Sequence, residues 1–249
     1  MDTSVVKNIV KSYNTLDYQP KLKDLVASIF PAEDASQLCK LDLHRRISQL
    51  IIGHYPGEQV LKYDLFQEFR KKNLVAAFEM KVGSSRVDFV TINGHSTSFE
   101  IKSSLDNLDK LAKQTSDYSL AFEYNYVVVD QCHLSKISDK IPAQFGIWTF
   151  MNGRKVVRRP AVFNTAIDAS AQLRFLTKKE LSLFFNNLSR PADILQEFSG
   201  EAINERFKKS LKNRYYSRWS FVTTHAELIL PIDLQFFFNR NIHPDYIYS

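Results

Sequence analysis

Hydrophobic residues in the first 56 positions recur at helical spacing, with Leu43, Ile47, Leu50 and Ile51 on one side and Arg45 and Arg46 beside them. Pro56-Gly57 interrupts that pattern. A second amphipathic stretch carries Val60, Leu61, Leu65, Phe66 and Phe69 and closes in Arg70-Lys71-Lys72-Asn73. Cations in a last turn followed by Asn suit a helix C-terminus. The pattern then changes to that of strands. Segments 74–81, 86–92 and 98–102 are rich in Val, Phe, Ile and Thr, and Gly83-Ser84 and Asn93-Gly94 between them are good hairpin-turn sequences. A polar helix fits 104–118, with Leu105, Leu108 and Leu111 on one side. Segment 124–130 is a nearly continuous apolar run, as expected for a strand covered on both faces. Segments 145–151 and 155–157 predict another hairpin across Asn152-Gly153.

This order of helix, three-strand meander, helix and strand predicts an α/β fold, a mixed sheet flanked by helices. Two further helices are predicted over 173–188 and 191–211, whereas the aromatic end, 228–249, shows no clear period. The expected organisation is a helical extension over 1–56, a core over 57–159 and a mainly helical, basic region over 160–249.

Composition narrows the class. The 249 residues include 33 Lys+Arg against 27 Asp+Glu, a net charge of +6, with 44% hydrophobic residues, too apolar for a disordered chain. No stretch approaches the roughly 18 uncharged apolar residues of a membrane helix. Met1 to Lys7 shows no basic region leading into an apolar run. Cys39 and Cys132 are too few for a disulfide scaffold or zinc cluster. These features predict a cytoplasmic protein with no membrane partner. With seven glycines and no Gly-rich phosphate loop, nucleotide-driven work is not expected.

The hairpins carry the main chemical inference. A two-residue turn at Gly83-Ser84 makes paired positions sum to 167 and sets Glu79 across from Asp88; a turn centred on Gly94 makes them sum to 188 and sets Asp88 across from Glu100. Lys102 shares the face of Glu100, while Phe89, Phe99 and Ile101 point to the other. Three carboxylates and an ammonium thus converge. Clustered carboxylates repel unless a cation lies between them, and hard divalent ions favour such oxygens. A bound metal lowers the pKa of its water and stabilises charge on a phosphate in transit, and a neighbouring ammonium can orient that water. The same residues also suit a solvated sheet face with cross-strand salt bridges. Asp88 and Glu100 lie within apolar strands, which argues against that, since buried carboxylates without partners are costly.

Arg86-Val87-Asp88-Phe89-Val90 followed by Phe99-Glu100-Ile101-Lys102 resembles the bipartite motif of the PD-(D/E)XK nuclease superfamily, in which Asp on the second core strand precedes Glu-x-Lys on the third. The element order is that superfamily's restriction-endonuclease-like core. Gln114-Thr115-Ser116-Asp117-Tyr118 resembles the Gln-x-x-x-Tyr motif of its RecB-type branch, on one face of the following helix. The resemblance covers about 57–150 and extends to small, largely uncharacterised bacterial nuclease-like proteins. It implies a metal-dependent nuclease acting on DNA with Mg2+ or Mn2+. Asp88 and Glu100 would be metal ligands, Lys102 the catalytic lysine, and Gln114 and Tyr118 would position substrate or water. Val87 replaces the usual Pro before the motif Asp. The superfamily's additional acid often comes from the first helix, where Glu68 is the candidate, but the hairpin geometry favours Glu79 as the third metal ligand.

Arg206, Lys208, Lys209, Lys212, Arg214 and Arg218 form a segment without acids, interleaved with Phe207, Tyr215, Tyr216 and Trp219. It could track a phosphate backbone and stack on bases, or be a basic helix face whose aromatics are core. Arg154, Lys155, Arg158 and Arg159 read as a solvated strand edge. His95 falls in the turn beside the proposed site and reads as an ordinary turn residue; Cys132 and His133, adjacent on the chain, point apart. The rival functions are a non-cleaving nucleic-acid-binding or interaction module on the same fold, an RNA-cleaving enzyme, and a structural α/β protein. A homodimer or partner protein would suit cutting of two strands.

Overall fold

The computed structural model describes residues 3–32 and 34–249. Three helices lead the chain: α1 (Thr3–Ser12), α2 (Gln19–Ile29) and α3 (Lys40–His54). Ile9, Leu22, Val26, Leu43 and Ile47 close over one another in a small core of their own, joined by Ile232 from the far end of the sequence. Next come α4 (Glu58–Phe69), β1 (Val75–Val82), β2 (Ser85–Asn93), β3 (His95–Lys102), α5 (Leu111–Ser119) and β4 (Tyr124–Val129), the predicted order of helix, three strands, helix and strand. The short α6 (Leu134–Ile137) leads to β5 (Gly146–Met151) and β6 (Arg154–Arg159).

The described residues form a six-stranded mixed sheet in the order β1-β2-β3-β4-β5-β6. β1, β2 and β3 are antiparallel neighbours, β3-β4 and β4-β5 pair in parallel, and β6 closes an antiparallel hairpin on β5. Val127, Val128 and Val129 of the central β4 are fully buried, as its apolar run requires. Gly83 and Gly94 supply the left-handed backbone of the first two turns, with φ of +61° and +72°. The ladder partners on both sides keep the expected sums, Phe78 opposite Phe89 and Phe89 opposite Phe99. One face of the sheet is aromatic. Phe69 of α4 stacks on Phe89 and on Trp148, and Trp219 meets Phe66 and Phe89 edge-on. Truncating a ring of this kind, such as Phe89, costs about 3–5 kcal/mol.

The remaining helices are α7 (Ala169–Arg174), α8 (Lys178–Phe184), α9 (Pro191–Glu197), α10 (Gly200–Thr224), α11 (Leu234–Arg240) and α12 (Asp245–Tyr248). They differ from the sequence expectation where side chains compete for the backbone. The helix expected over 104–118 starts only at Leu111, because Asp106 accepts the Ser103 N–H and hydroxyl and Asn107 accepts the Asp109 N–H, which hold 103–110 in turns. The single helix expected over 173–188 is two. Thr177 and Glu180 form a capping box that starts the second, and Asn186 and Asn187 follow it in left-handed backbone. Ser199 caps α10 through the Ala202 N–H and divides the helix expected over 191–211. The unassigned end folds into a 3-10 turn, Pro231–Asp233, and then α11 and α12.

The division expected near 160 is not a break in packing. One hydrophobic core runs from Leu61 to Tyr248 and includes Phe207, Leu211, Trp219 and Phe238 of the C-terminal helices. No helix among the described residues is long and apolar enough to cross a membrane.

Candidate active site

β2 and β3 part company at Asp88. Their ladder runs from the Asn93 turn as far as Phe89 opposite Phe99. Beyond it Asp88 Oδ2 accepts the Ile101 N–H at 2.6 Å, a side chain taking a backbone donor at the point where the strands open. β1 is distorted at the same level. Phe78–Phe89 and Met80–Val87 keep register, but Glu79 between them has φ +56° and its pair with Asp88 is missing from the ladder. A non-glycine residue there carries strain of about 1–3 kcal/mol, and such strain gathers at functional sites. The hairpin arithmetic thus places Glu79 and Asp88 as neighbours, and the ladder is interrupted at both.

A third carboxylate arrives from α4. Gly57 caps this helix and places Glu58 in its first turn. One oxygen each from Glu58, Glu79 and Asp88 lies within 4.8 Å of the others, a donor set that could hold a cation. Lys62, one turn along α4, reaches into the group. Its Nζ donates to Glu79 Oε1 and to Gln235 Oε1 at 2.8 Å, and lies 2.5 Å from Glu58 Oε1, a buried oxygen without hydrogen-bond alignment. Burial would lower the Lys62 pKa, but Glu58, Glu79 and Asp88 raise it on balance.

Glu100 and Lys102 form the adjoining half of the site, and both are buried. Lys102 Nζ donates to Glu100 Oε1 at 2.7 Å and to Gln114 Oε1 at 3.0 Å. The Tyr118 hydroxyl lies 2.7 Å from Glu100 Oε2 and 2.8 Å from the Arg86 carbonyl, either of which can accept its proton. Two residues one turn apart on α5 therefore brace two residues that share a face of β3: Gln114 holds the lysine and Tyr118 the glutamate. Burial, and then the charges of Glu100 and Glu58, push the Asp88 carboxyl well above the usual range despite Lys62 and the Ile101 N–H. Burial raises Glu100 against the opposing pull of Lys102 and Tyr118. Burial, reinforced by the Glu100 charge, pushes the Tyr118 hydroxyl far up, so it stays protonated and able to donate.

The structure brings Glu79, Asp88, Glu100, Lys102, Gln114 and Tyr118 into one neighbourhood, but not in every expected role. Glu100 is outside the carboxylate trio, its oxygens engaged by Lys102 and Tyr118. Glu58 is the member that sequence reasoning missed. Its signal was present: an acid one residue after Pro56-Gly57, in a helix first turn, four residues before a lysine. Glu68, the helix candidate, is elsewhere, bound to Lys72 at 2.6 Å and to Lys155 of β6 at 2.7 Å. His95 is not beside the site; it lies at the opposite end of β2 and β3, because both strands run some five residues from that turn to Asp88 and Glu100.

The basic segment divides in two. Arg206 donates to the Phe184 carbonyl and lies over the Phe198 ring, Lys208 is buried against Glu123 and the Gly94 carbonyl, and Arg214 grips Glu180. These three are committed to internal contacts, which corrects their expected role of holding nucleic acid. Lys209, Lys212 and Arg218 are exposed. On the β6 edge, Arg154 and Arg158 are exposed as expected of a guarded strand edge, whereas Lys155 covers Trp148 and Arg159 donates to the Phe145 carbonyl.

The donor set suits a hard divalent cation. The carboxylates of Glu58, Glu79, Asp88 and Glu100 face Lys62, Lys102 and the more exposed Arg86, which lies 3.6 Å from Glu79 Oε2, so the ionised cluster carries one negative charge more than it balances.

Protein cII of Enterobacteria phage P4 is 28% identical over 180 residues, covering 64% of this chain and 68% of its own length. A solved structure of a protein of unknown function from Silicibacter pomeroyi overlaps 53% of this chain and 92% of its own, with 16% identity and a TM-score of 0.37. The family model of bacteriophage P4 protein cII matches residues 57–237, from the start of α4 into α11, and the chain belongs to that family.

Proposed function

We propose that this protein is a metal-dependent nuclease that hydrolyses phosphodiester bonds, with DNA as substrate and a restriction-endonuclease-like core. The observation that carries this reading is the joined arrangement of Glu100-x-Lys102 on β3, its brace by Gln114 and Tyr118 on α5, and the carboxylates of Glu58, Glu79 and Asp88 beside it. Glu58, Glu79 and Asp88 would hold Mg2+ or Mn2+, which when bound supplies a Lewis acid for a phosphoryl oxygen and acidifies water. Lys102 Nζ spends two of its protons on Glu100 and Gln114, leaving the third for an attacking water or a phosphate oxygen. Glu100 keeps the lysine aimed, and Tyr118 fixes Glu100. A cytoplasmic setting suits both the metal and the two free, exposed cysteines, Cys39 and Cys132.

One observation favours a second reading, a non-cleaving module on the same fold: Lys62 already lies among the three carboxylates and partly neutralises them. Incubating wild type and Lys102→Ala with supercoiled, linear and single-stranded DNA and with RNA, each with Mg2+, Mn2+ or EDTA, separates the two. Metal-dependent cleavage that falls at least 100-fold in the variant supports the nuclease. Binding without cleavage by wild type supports the module. Cleavage of RNA with an intact deoxy strand would move the substrate to RNA.

A further inference from the structure

α10 carries a stripe that the fold leaves unused. Lys209, Lys212, Asn213, Tyr216 and Ser217 stand at helical spacing on one side of it, away from the internally paired Arg206, Lys208 and Arg214. Among the described residues, neither Lys209 nor Lys212 has an ion-pair partner, and Tyr216 is 64% exposed, in a helix whose Phe207, Tyr215 and Trp219 are buried and whose Phe221 is half-buried. The stripe walls a cavity of about 750 Å³, completed by Asn73 and Leu74 before β1 and by Asn93 at the β2–β3 turn. A second hollow of about 420 Å³ adjoins it, sharing Leu74 and Asn93 and lined by Lys72, His95, Tyr124 and Tyr126. Together they make a band of cations, amides and tyrosines around one end of the sheet. This is not the end that holds the carboxylates. Asn93 is five residues up β2 from Asp88, roughly 16 Å at about 3.3 Å per residue.

We infer that this band is a binding groove for single-stranded nucleic acid, separate from the candidate active site. Two unpaired ammonium groups suit backbone phosphates, amide side chains can meet base edges, and an exposed tyrosine ring stacks on bases. The occupant is a single strand because a duplex stacks its bases on one another and offers no ring face along its length. The groove also accounts for the division of the basic segment: half of its cations hold α10 in place, so that part of the rest can face a ligand.

The groove does not depend on the nuclease reading, so it is tested without hydrolysis. Fluorescence anisotropy of a labelled mixed-sequence 20-mer, single-stranded or duplex, is measured in EDTA across a salt series. Wild type is expected to prefer the single strand. Tyr216→Ala is expected to weaken binding about tenfold, and Lys209→Ala/Lys212→Ala to lower the slope of log K against log salt by about 1.4. All three positions are exposed, so melting temperature should hold within about 2 °C and guard against a folding artefact. No binding by wild type, preference for the duplex, or wild-type affinity and salt slope in the folded variants would each overturn the groove. Binding here by a wild type that cleaves no substrate with Mg2+ or Mn2+ would count against the active site and support the groove.

Discussion

Replacing Asp88 by Asn tests whether the carboxylates form a metal centre or an internally balanced ion cluster. The amide keeps the shape of the side chain and an oxygen for the Ile101 N–H, but removes one of the three charges gathered within 4.8 Å. At an effective dielectric of about 20, two charges at that separation repel by about 3 kcal/mol. Lys62 and the more exposed Arg86 offset part of this, and the negative charge left over on the ionised cluster is what a divalent ion would neutralise. An ion held with a Kd on the order of 0.1 mM and supplied at about 10 mM stabilises the fold by about 2.7 kcal/mol. For a chain of this size that raises the melting temperature by about 5–10 °C. A tenfold loss of affinity in Asp88→Asn would leave about 1.4 kcal/mol, about half the response. Without metal, the variant should melt at or above the wild-type temperature, because a repelling charge is gone. Differential scanning calorimetry with Mg2+, against NaCl at matched ionic strength, reads all three values. An equal Mg2+ response in the two proteins, or none in wild type beyond that of NaCl, would refute the metal centre and leave Lys62 as the permanent counterion.

Two further changes probe the surrounding fold. Burial raises the Asp64 carboxyl from 3.8 to about 6, so its folded state binds a proton more tightly than the unfolded chain does, and stability is lost as pH rises through that interval. Asp64→Asn should therefore match wild type near pH 3.5 and melt higher near pH 7, by on the order of 1 kcal/mol once solvent screening of its exposed part is discounted; a constant difference across pH would exclude the titration. Asp233 is fully buried and accepts hydroxyls from Tyr13, Thr15 and Tyr248. Asp233→Ala removes the shared acceptor of all three, leaving Tyr13 only its 2.7 Å contact with His44 Nδ1, and should cost about 3 kcal/mol in urea denaturation; a loss under about 1 kcal/mol would mean that water replaces the carboxylate.

What could be read from the sequence followed local chemistry. Gly83 and Gly94 set two hairpins, and from their numbering alone Phe78, Phe89 and Phe99 align as they do in the sheet. The neighbourhood of Glu79, Asp88, Glu100 and Lys102 follows from the same arithmetic. The left-handed backbone at Glu79 does not, because nothing local favours it; the strain is compensated by contacts from α4, distant in sequence. Glu58 was obscured for a related reason. Its own segment says only that a helix begins, and its neighbours at the site come from β1 and β2. The basic segment shows the limit of composition most clearly. Arg206 and Lys209 are alike in sequence, yet Phe184, Phe185 and Phe198 surround one while the other faces a groove, and that depends on where α8 and α9 pack.

The C-terminal helices are more than a cover for the sheet. Asp233 ties Tyr13 and Thr15, ahead of α2, to Tyr248 in the last helix. Two residues later Gln235 accepts a hydrogen bond from Lys62, and Lys62 in turn meets Glu58 and Glu79. The N-terminal helices, the chain end and the candidate metal ligands are therefore joined through the three residues from Asp233 to Gln235. Lys62 is buried and pairs with two of the trio, and Gln235 is its uncharged partner among the described residues. A divalent ion among the carboxylates would repel the Lys62 ammonium, whereas the amide oxygen of Gln235 gives it an acceptor on the side of α11. On the proposed metal-dependent reading, the packing of α11 against the core would set how far the lysine could withdraw. The hydrogen bond from Lys62 to Gln235 thus ties the C-terminal region to the carboxylate cluster without adding any of its residues to the trio.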